Sequence, residues 1–363
     1  MVERRELVGV RVVEVARFGG PEVLVVAEAP DPVPGPGEAV VDVAAADTLW
    51  IETVIRGGGG GEYFPVRPPY RPGAGVAGTV SAVGEGVDRA WIGRRVVTRT
   101  GTNGGYLQRA LEPADGLLEV PDRVPLTTAA ALLHDGVTAL GLMDVVAVRP
   151  GDRVLVTAAA GGLGALLVQL AHAAGARVVA AARGIRKLER LGPLGADLVV
   201  DYSEPDWTER VRTATGEVDV VLDGAGGAYG RAALGLVVPG GRFSGHGMPA
   251  GSFVGPDDKG PDDKGPGDKG PGDRGSGGGG RGGRGSGSGV SGDVADGVTM
   301  TGIDRVQFPP ARFRHYAATA LSEAAAGNVS PLIGQTFPLE RAAEAHAAIE
   351  NRTAIGKTLL LPG

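Results

Sequence analysis

Residues 153–171 read RVLVT-AAAGGLG-ALLVQLA, and this stretch decides the fold that we expect. Five strand-forming residues run into a glycine-rich turn, and the turn opens an apolar helix. In this context the turn fits a dinucleotide fingerprint, in which Gly161 lets the backbone approach a diphosphate and Gly164 lets the helix pack closely on the strand. The first N–H groups of the helix then face the anion. A purely structural tight turn is the alternative, because Ala159 stands where the fingerprint has its first glycine.

The composition is that of a globular protein long enough for two domains. The 363 residues are 42% hydrophobic and 21% charged, and the net charge of −6 favours neither nucleic acid nor an anionic membrane. The first residues lack an apolar signal segment, and we expect no apolar run of the roughly 18 residues that a membrane span needs. We therefore expect a cytoplasmic protein with neither a membrane nor a nucleic acid as its partner.

Cysteine is absent, and the five histidines stand in no short metal-ligand motif. The absence of cysteine excludes disulfides, thiol nucleophiles and cysteine-based zinc sites, so we expect no metal site. His134 and Asp135 are adjacent, but neighbours on a helix do not face each other, so we do not expect a catalytic dyad.

The pattern of predicted strands and helices changes near residue 126. Before it, short β-rich segments alternate with turns rich in Gly and Pro, which favours a small β-barrel. Residues 126–148 are predicted to be mainly helical, with a break at 135–136. From 152 to 245 strands and helices alternate, which predicts a doubly wound parallel sheet of the α/β class.

Residues 255–293 interrupt this pattern with Gly-Pro-Asp-Asp-Lys units and an Arg–Gly run at 281–285. The segment has almost no apolar residues to offset the entropy of ordering it, so we predict a disordered surface insertion. Weak RNA binding by the Arg–Gly run is the alternative to a solvated loop.

Short motifs accompany this division along nearly the whole chain. They are RFGGPEVL at 17–24, PGPGE at 34–38, GVAG at 75–78, VGEGV at 83–87, GGY at 104–106, DGVTA at 135–139, the turn at 159–164, and the tail from FPLE at 337–340 to GK at 356–357. In this order they resemble the zinc-free quinone oxidoreductase branch (zeta-crystallin-like) of the medium-chain dehydrogenase/reductase superfamily.

The resemblance implies two domains with an active site in the cleft between them. A GroES-like β-barrel catalytic domain would cover 1–125, a Rossmann domain would cover 126–310 with the insertion at 255–293, and 311–363 would return to the catalytic domain. The resemblance also implies a homodimer, or alternatively a tetramer, joined through the nucleotide-binding domains.

The second strand of the parallel sheet favours NADPH over NADH. An NAD site places an acidic residue about 20 residues beyond the glycine turn, whereas this strand ends at Arg183, with Lys187 beyond it. Guanidinium and ammonium groups suit a 2′-phosphate. An ordinary charged helix start is the alternative for these two residues. In the resembling family a tyrosine at the position of Tyr202 flanks the adenosine phosphate.

Further cofactor contacts are predicted at the carboxyl ends of later strands, where open α/β sheets bind ligands. Gly224 and Gly245 follow two such strands. The resemblance implies that Thr138 lies beside the nicotinamide, with a buried helix hydroxyl as the alternative, and Lys357 belongs to the tail motif. The predicted cofactor-binding set is therefore Thr138, Ala160, Gly161, Gly162, Leu163, Gly164, Arg183, Lys187, Tyr202, Gly224, Gly245 and Lys357.

The chemistry follows from the groups that are missing. The chain lacks the cysteines with which zinc alcohol dehydrogenases hold their Lewis acid, and no tyrosine has a lysine four residues later. We therefore expect hydride transfer from NADPH to an acceptor that is already electrophilic, namely a quinone or an α,β-unsaturated carbonyl.

The catalytic candidates are Tyr63, Thr48 and Thr138. Tyr63 matches a pocket tyrosine of the resembling family and would donate to the acceptor oxygen. Leu49 stands where that family has an asparagine, so Asp47 or Thr48 is considered as the polar replacement. The alternatives to this function are an enoyl reductase acting on a thioester or biosynthetic intermediate, and a non-enzymatic protein that senses NADPH or binds RNA.

Overall fold

The computed structural model describes residues 9–61, 64–101, 104–250, 252–254 and 296–363. Tyr63 and the insertion predicted at 255–293 lie outside the described residues.

The first third of the chain forms antiparallel strands around a valine-rich core. The elements are β1 (Val10–Val15), β2 (Leu24–Ala29), β3 (Glu38–Asp47), helix α1 (Trp50–Arg56), β4 (Gly75–Val83), β5 (Arg95–Arg99), β6 (Arg109–Pro113) and β7 (Leu118–Glu119). β1 and β2 pair as a hairpin. β3 to β7 belong to a seven-stranded sheet, which is completed by β14 (Ile333–Pro338) and β15 (Lys357–Leu361) from the far end of the sequence.

The middle of the chain alternates strands and helices. The elements are α2 (Leu126–Val146), β8 (Arg153–Thr157), α3 (Gly162–Ala173), β9 (Arg177–Ala182), α4 (Ile185–Leu188), β10 (Leu198–Asp201), α5 (Trp207–Thr215), β11 (Val218–Asp223), α6 (Gly227–Leu234), β12 (Val237–Gly245) and β13 (Thr299–Gly302). α7 (Pro310–Ala326) and α8 (Ala342–Glu350) flank β14.

The six strands β8 to β13 form one parallel sheet in the order β10-β9-β8-β11-β12-β13. The strand order reverses between β8 and β11, as it does in doubly wound folds. The central strands are buried on both faces, which explains their continuous runs of Val, Leu and Ala. The α/β class and the doubly wound sheet predicted from the sequence are confirmed.

α2 differs from the sequence-based expectation in two ways. It runs without a break through Gly136, and the missing side chain there lets α7 approach closely: a Cβ on Gly136 would lie 3.0 Å from Ala320 Cβ. By length and hydropathy its 21 residues are also sufficient to cross a membrane, contrary to the expectation that no apolar segment is that long. The helix is mostly covered by protein: 61% of its most apolar 18 residues are buried, and it packs against α3, α7, β3 and β4.

Candidate functional site

A cleft of about 330 Å³ opens at the point where the strand order of the parallel sheet reverses. Ligands of open α/β sheets bind at this point, beyond the carboxyl ends of the strands. The cleft is lined by residues that follow β8, β9, β11 and β12, by residues 48–50 where β3 leads into α1, and by residues of the tail from Ile349 to Thr358. Its volume lies within the range of small-molecule and cofactor sites.

The glycine turn after β8 is shaped by close backbone contacts. A Cβ on Gly164 would lie 2.4 Å from Ala158 O and 2.8 Å from Ala159 Cα, so only glycine fits there. Ala159 is fully buried in the core under the sheet, so its methyl group does not enter the cleft. α3 begins at Gly162, and its first N–H groups have no carbonyl partners within the helix. The turn therefore offers an anion site at the floor of the cleft.

Two buried side chains brace this floor from below. Thr157 Oγ1 donates a hydrogen bond of 2.5 Å to Asp223 Oδ1, and the backbone N–H groups of Gly224 and Ala225 donate to Thr157 Oγ1. The Asp223 carboxylate also accepts from the N–H groups of Ala225 and Gly226. Burial raises the pKa of Asp223. The loop over 224–226 is thus held against β8, an arrangement that sequence reasoning missed.

One end of the cleft is strongly cationic. Arg183 Nη2 donates to Tyr229 Oη at 2.8 Å, and the rings of Tyr202 and Tyr229 lie 4.5 Å apart with 30° between their planes. Lys187 Nζ donates to the backbone oxygen of Arg352 at 2.7 Å. Burial, and then the nearby charges of Arg183 and Arg352, lower the pKa of Lys187. Arg183, Lys187 and Arg352 repel one another, so a bound phosphate would be stabilised among them, and the two aromatic rings beside them can contact a base. This end of the cleft therefore suits a phosphorylated nucleoside.

The opposite wall comes from the segment between β3 and α1. Thr48 is buried, and its hydroxyl donates 2.5 Å to Thr358 O, which ties this segment to β15. Leu49 N donates to Glu52 Oε2 at 2.9 Å, and Tyr106 Oη donates to the same oxygen at 2.8 Å. Burial raises the pKa of Glu52 to about 7. Leu49 and Trp50 therefore present apolar surface to the cleft on a fixed backbone.

A cluster of four ionisable side chains, which we call the charged quartet, lies between this wall and the glycine turn. It consists of Asp47, His134, Asp135 and Lys357. Lys357 Nζ lies 2.5 Å from Asp47 Oδ1 and 3.2 Å from Asp135 Oδ2, and His134 Nδ1 lies 2.7 Å from Asp47 Oδ2. His134 and Asp135 do not pair with each other, as expected for adjacent helical residues, but Asp47 and Lys357 connect them.

Charge balance within the charged quartet shifts its pKa values in opposite directions. Burial opposes ionisation of Asp47, but Lys357 and His134 hold its pKa below the usual value. Burial raises the pKa of Asp135, and the charge of Asp47 adds to the effect. Burial also opposes the ammonium of Lys357, yet the two carboxylates raise its pKa above the usual value.

The cleft brings together most of the cofactor-binding residues predicted from the sequence. Its lining includes Ala160, Gly161, Gly162, Leu163, Gly164, Arg183, Lys187, Tyr202, Gly224 and Lys357, and also the catalytic candidate Thr48. Thr138 and Gly245 are not among the lining residues. Thr138 lies one helical turn beyond Asp135, and Gly245 is buried where a Cβ would lie 2.0 Å from Val254 O.

Other residues line the cleft that sequence reasoning did not select. They include Asp135, Tyr229, His246 and Arg352. Burial lowers the pKa of His246 to about 4, so its ring is neutral at pH 7. Its position after β12 was a detectable signal, because that strand ends at the same edge of the sheet as β8. Arg352 gave no such signal, because it is more than 160 residues from Arg183 in the sequence.

Comparisons with known proteins agree with this architecture. Residues 35–122 match the family model of the alcohol dehydrogenase GroES-like domain, and residues 162–258 match that of the zinc-binding dehydrogenases. The quinone oxidoreductase of Sus scrofa is 29% identical over 356 residues, which are 96% of this chain and 97% of that protein. The 2-haloacrylate reductase of Burkholderia sp is 34% identical over 238 residues, which are 64% of this chain and 72% of that protein.

A solved structure covers both domains. A mycobacterial protein in complex with NADPH is similar with a TM-score of 0.77 and 31% identity, over 97% of this chain and all of that one. The antiparallel sheet and the doubly wound sheet thus lie within a similarity that covers nearly the whole chain. The chain belongs to the quinone oxidoreductase branch of the medium-chain dehydrogenase/reductase superfamily.

Proposed function

We propose that the protein is an NADPH-dependent reductase that transfers hydride to a quinone or an α,β-unsaturated carbonyl without a catalytic metal ion. The observation that carries the proposal is the placement of the glycine turn and three cations, Arg183, Lys187 and Arg352, in one cleft. A diphosphate fits the first feature and a 2′-phosphate the second. The NADPH complex of the mycobacterial relative supports the same cofactor.

The residues present fit the dinucleotide along the whole cleft. The N–H groups at the start of α3 would hold the diphosphate, and the paired rings of Tyr202 and Tyr229 would flank the adenosine. The 2′-phosphate would lie among the three cations. When bound, NADPH supplies the hydride, and the chain positions it and excludes water.

Leu49 and Trp50 add apolar surface to the lining of the cleft. His246 also lines it, and burial lowers the pKa of its ring to about 4, so it offers a hydrogen bond without a charge at pH 7. Such a site suits an acceptor whose conjugation already stabilises the negative charge that develops on its oxygen. Relatives named for a quinone and for a 2-haloacrylate, both conjugated molecules, support this acceptor class.

The absence of cysteine supports chemistry without zinc, although one matching family model is named for zinc-binding dehydrogenases. Catalytic zinc in alcohol dehydrogenases is held by two cysteines and a histidine, a ligand set that this chain cannot supply. Four expectations remain predictions from the sequence: assembly as a homodimer, a cytoplasmic location, the domain boundaries at 125 and 310, and a role of Tyr63. The RNA-binding alternative depends on residues 281–285, which lie outside the described residues.

The proposal is tested by following NADPH oxidation with phenanthrenequinone and a panel of enones in metal-free buffer. We expect turnover with NADPH, and we expect Arg183→Ala to weaken NADPH binding about 10- to 100-fold, the equivalent of one charge-assisted hydrogen bond. NADH binding should not change. Arg186→Ala is the matched control, because Arg186 is an exposed arginine of α4 that does not line the cleft. Absence of turnover over the whole panel would refute the proposed acceptor class.

A further inference from the structure

A carboxyl group of the charged quartet lies directly against the glycine turn. A Cβ on Gly162 would lie 2.2 Å from Asp135 Oδ2 and 3.2 Å from Lys357 Cδ. Gly162 is the first residue of α3, and all three residues line the cleft. The chain thus places a carboxyl group of its own beside the helix start that, in the proposed function, receives the diphosphate.

The charged quartet contains one more carboxylate than it can neutralise with Lys357. The cluster has two aspartates and one lysine, and His134 would add a positive charge only if it were protonated. Lys357 Nζ is closer to Asp47, at 2.5 Å, than to Asp135, at 3.2 Å, and Asp47 has His134 as a second partner. Asp135 is therefore the less neutralised of the two carboxyl groups, and it is the one that a proton would occupy.

We propose that Asp135 takes up a proton when the dinucleotide binds, so that the charge on this residue sets the affinity of the site for the diphosphate. The inference rests on the proposed function, because it needs a dinucleotide at the glycine turn. The groups that face Asp135 are His134 from its own helix, Asp47 from β3 and Lys357 from β15.

The physical reason is repulsion between like charges. A carboxylate and a diphosphate on adjacent sides of Gly162 disfavour each other, whereas a protonated carboxyl carries no charge and can donate its O–H group. Burial and Asp47 already raise the pKa of Asp135 in the free protein, and the diphosphate would raise it further. Linkage is reciprocal: if the dinucleotide favours the proton, the proton favours the dinucleotide by the same factor.

The sign of the pH dependence follows from this linkage. Above the pKa of Asp135 in the free protein, each unit of pH should weaken dinucleotide binding by up to about tenfold, until the pKa of the complex is reached. The 2′-phosphate of NADPH titrates near pH 6, so measurements at pH 7.5 to 9 separate the two groups.

The test is calorimetric titration of NADPH into the full chain at pH 8, in two buffers with different enthalpies of ionisation. The difference between the two binding enthalpies gives the number of protons taken up, and we expect a value approaching one per dinucleotide. In Asp135→Asn the uptake should disappear, and the Kd should be independent of pH and lower than the wild-type Kd at pH 9. Asp122→Asn, the same change at an exposed loop position, should keep the wild-type proton count.

The wild-type proton count tests the inference even if Asp135→Asn does not fold. Binding of NADPH without proton uptake would overturn this inference and leave the proposed function intact. Equal proton uptake by folded Asp135→Asn would also overturn it, because the proton would then reside elsewhere. Absence of any binding of NADPH or NADH would overturn the proposed function and this inference with it.

Discussion

Gly164→Ala should disrupt the close packing of the glycine turn against the start of α3. The added Cβ would lie 2.4 Å from Ala158 O, roughly 1 Å inside the distance at which ordinary contact begins, and 2.8 Å from Ala159 Cα. Both neighbours are backbone atoms, so no side-chain rotation relieves the contact. The oxygen of Ala158 also accepts the N–H of Gly161 at 2.9 Å, and Ala158 already has a φ of 50°.

The magnitude follows from these contacts. Overpacking costs about 1–3 kcal/mol, and loss of the hydrogen bond within the turn adds about 1 kcal/mol, so we expect a loss of about 2–4 kcal/mol in the free energy of unfolding. A displaced turn should also weaken NADPH binding by at least about tenfold, because the N–H groups at the start of α3 would no longer face the diphosphate.

Urea denaturation and a fluorescence titration with NADPH measure the two effects. The matched control is Gly192→Ala, since a Cβ on this exposed glycine would meet nothing within 4 Å and its φ is not left-handed. We expect its stability to change by less than about 0.5 kcal/mol. The reasoning is refuted if Gly164→Ala is as stable as this control and binds NADPH with wild-type affinity.

Three further changes test other parts of the site. Burial raises the pKa of Glu52 from 4.5 to about 7, so the free energy of unfolding of the wild type falls as the pH rises from about 4.5 through 7. Relative to the wild type, Glu52→Gln should therefore gain up to about 3 kcal/mol in the free energy of unfolding between pH 4.5 and pH 8. A difference between the two proteins that does not change with pH would contradict this. Thr157→Val removes the hydroxyl that donates to Asp223 and should cost about 1–3 kcal/mol by urea denaturation; an unchanged midpoint would show that the hydrogen bond is dispensable. Arg352→Gln should raise the Kd for NADPH about tenfold in a fluorescence titration and leave that for NADH unchanged, whereas equal losses for both would place Arg352 away from the 2′-phosphate.

The regular elements were predictable because local patterns determine them. β8 spans the five strand-forming residues that precede the glycine turn in the sequence, and the alternation of strands and helices predicted from residue 152 is present. Glycine and charge patterns also located the floor of the cleft and its cationic end. These features depend on residues that are close together in the sequence, or on strands whose ends must meet in a parallel sheet.

The rest of the site depends on contacts between distant segments. Asp47, Asp135 and Lys357 come from three elements, and no local pattern indicates that they meet. Arg352 and Tyr229 likewise reach the cationic end from segments that are distant from Arg183 in the sequence, so no local pattern indicated them. Gly136 suggested a break in α2, whereas it is a packing position: its role depends on the approach of α7, which a pattern within 126–148 does not contain.

The tail of the sequence docks directly on the glycine turn. Gly356 N donates to Ala160 O at 2.6 Å, Gly161 and Gly356 form a parallel bridge, and the next residue supplies the ammonium between Asp47 and Asp135. During synthesis the parallel sheet emerges from the ribosome well before residue 356, and domains generally fold as they emerge. The dinucleotide site would therefore stay incomplete, without the ammonium that pairs with Asp47 and Asp135, until this tail has been made. A ribosome-bound chain stopped shortly before residue 356 should fold its parallel sheet but bind no cofactor. The protein would therefore gain the ability to bind its cofactor only at the end of its synthesis.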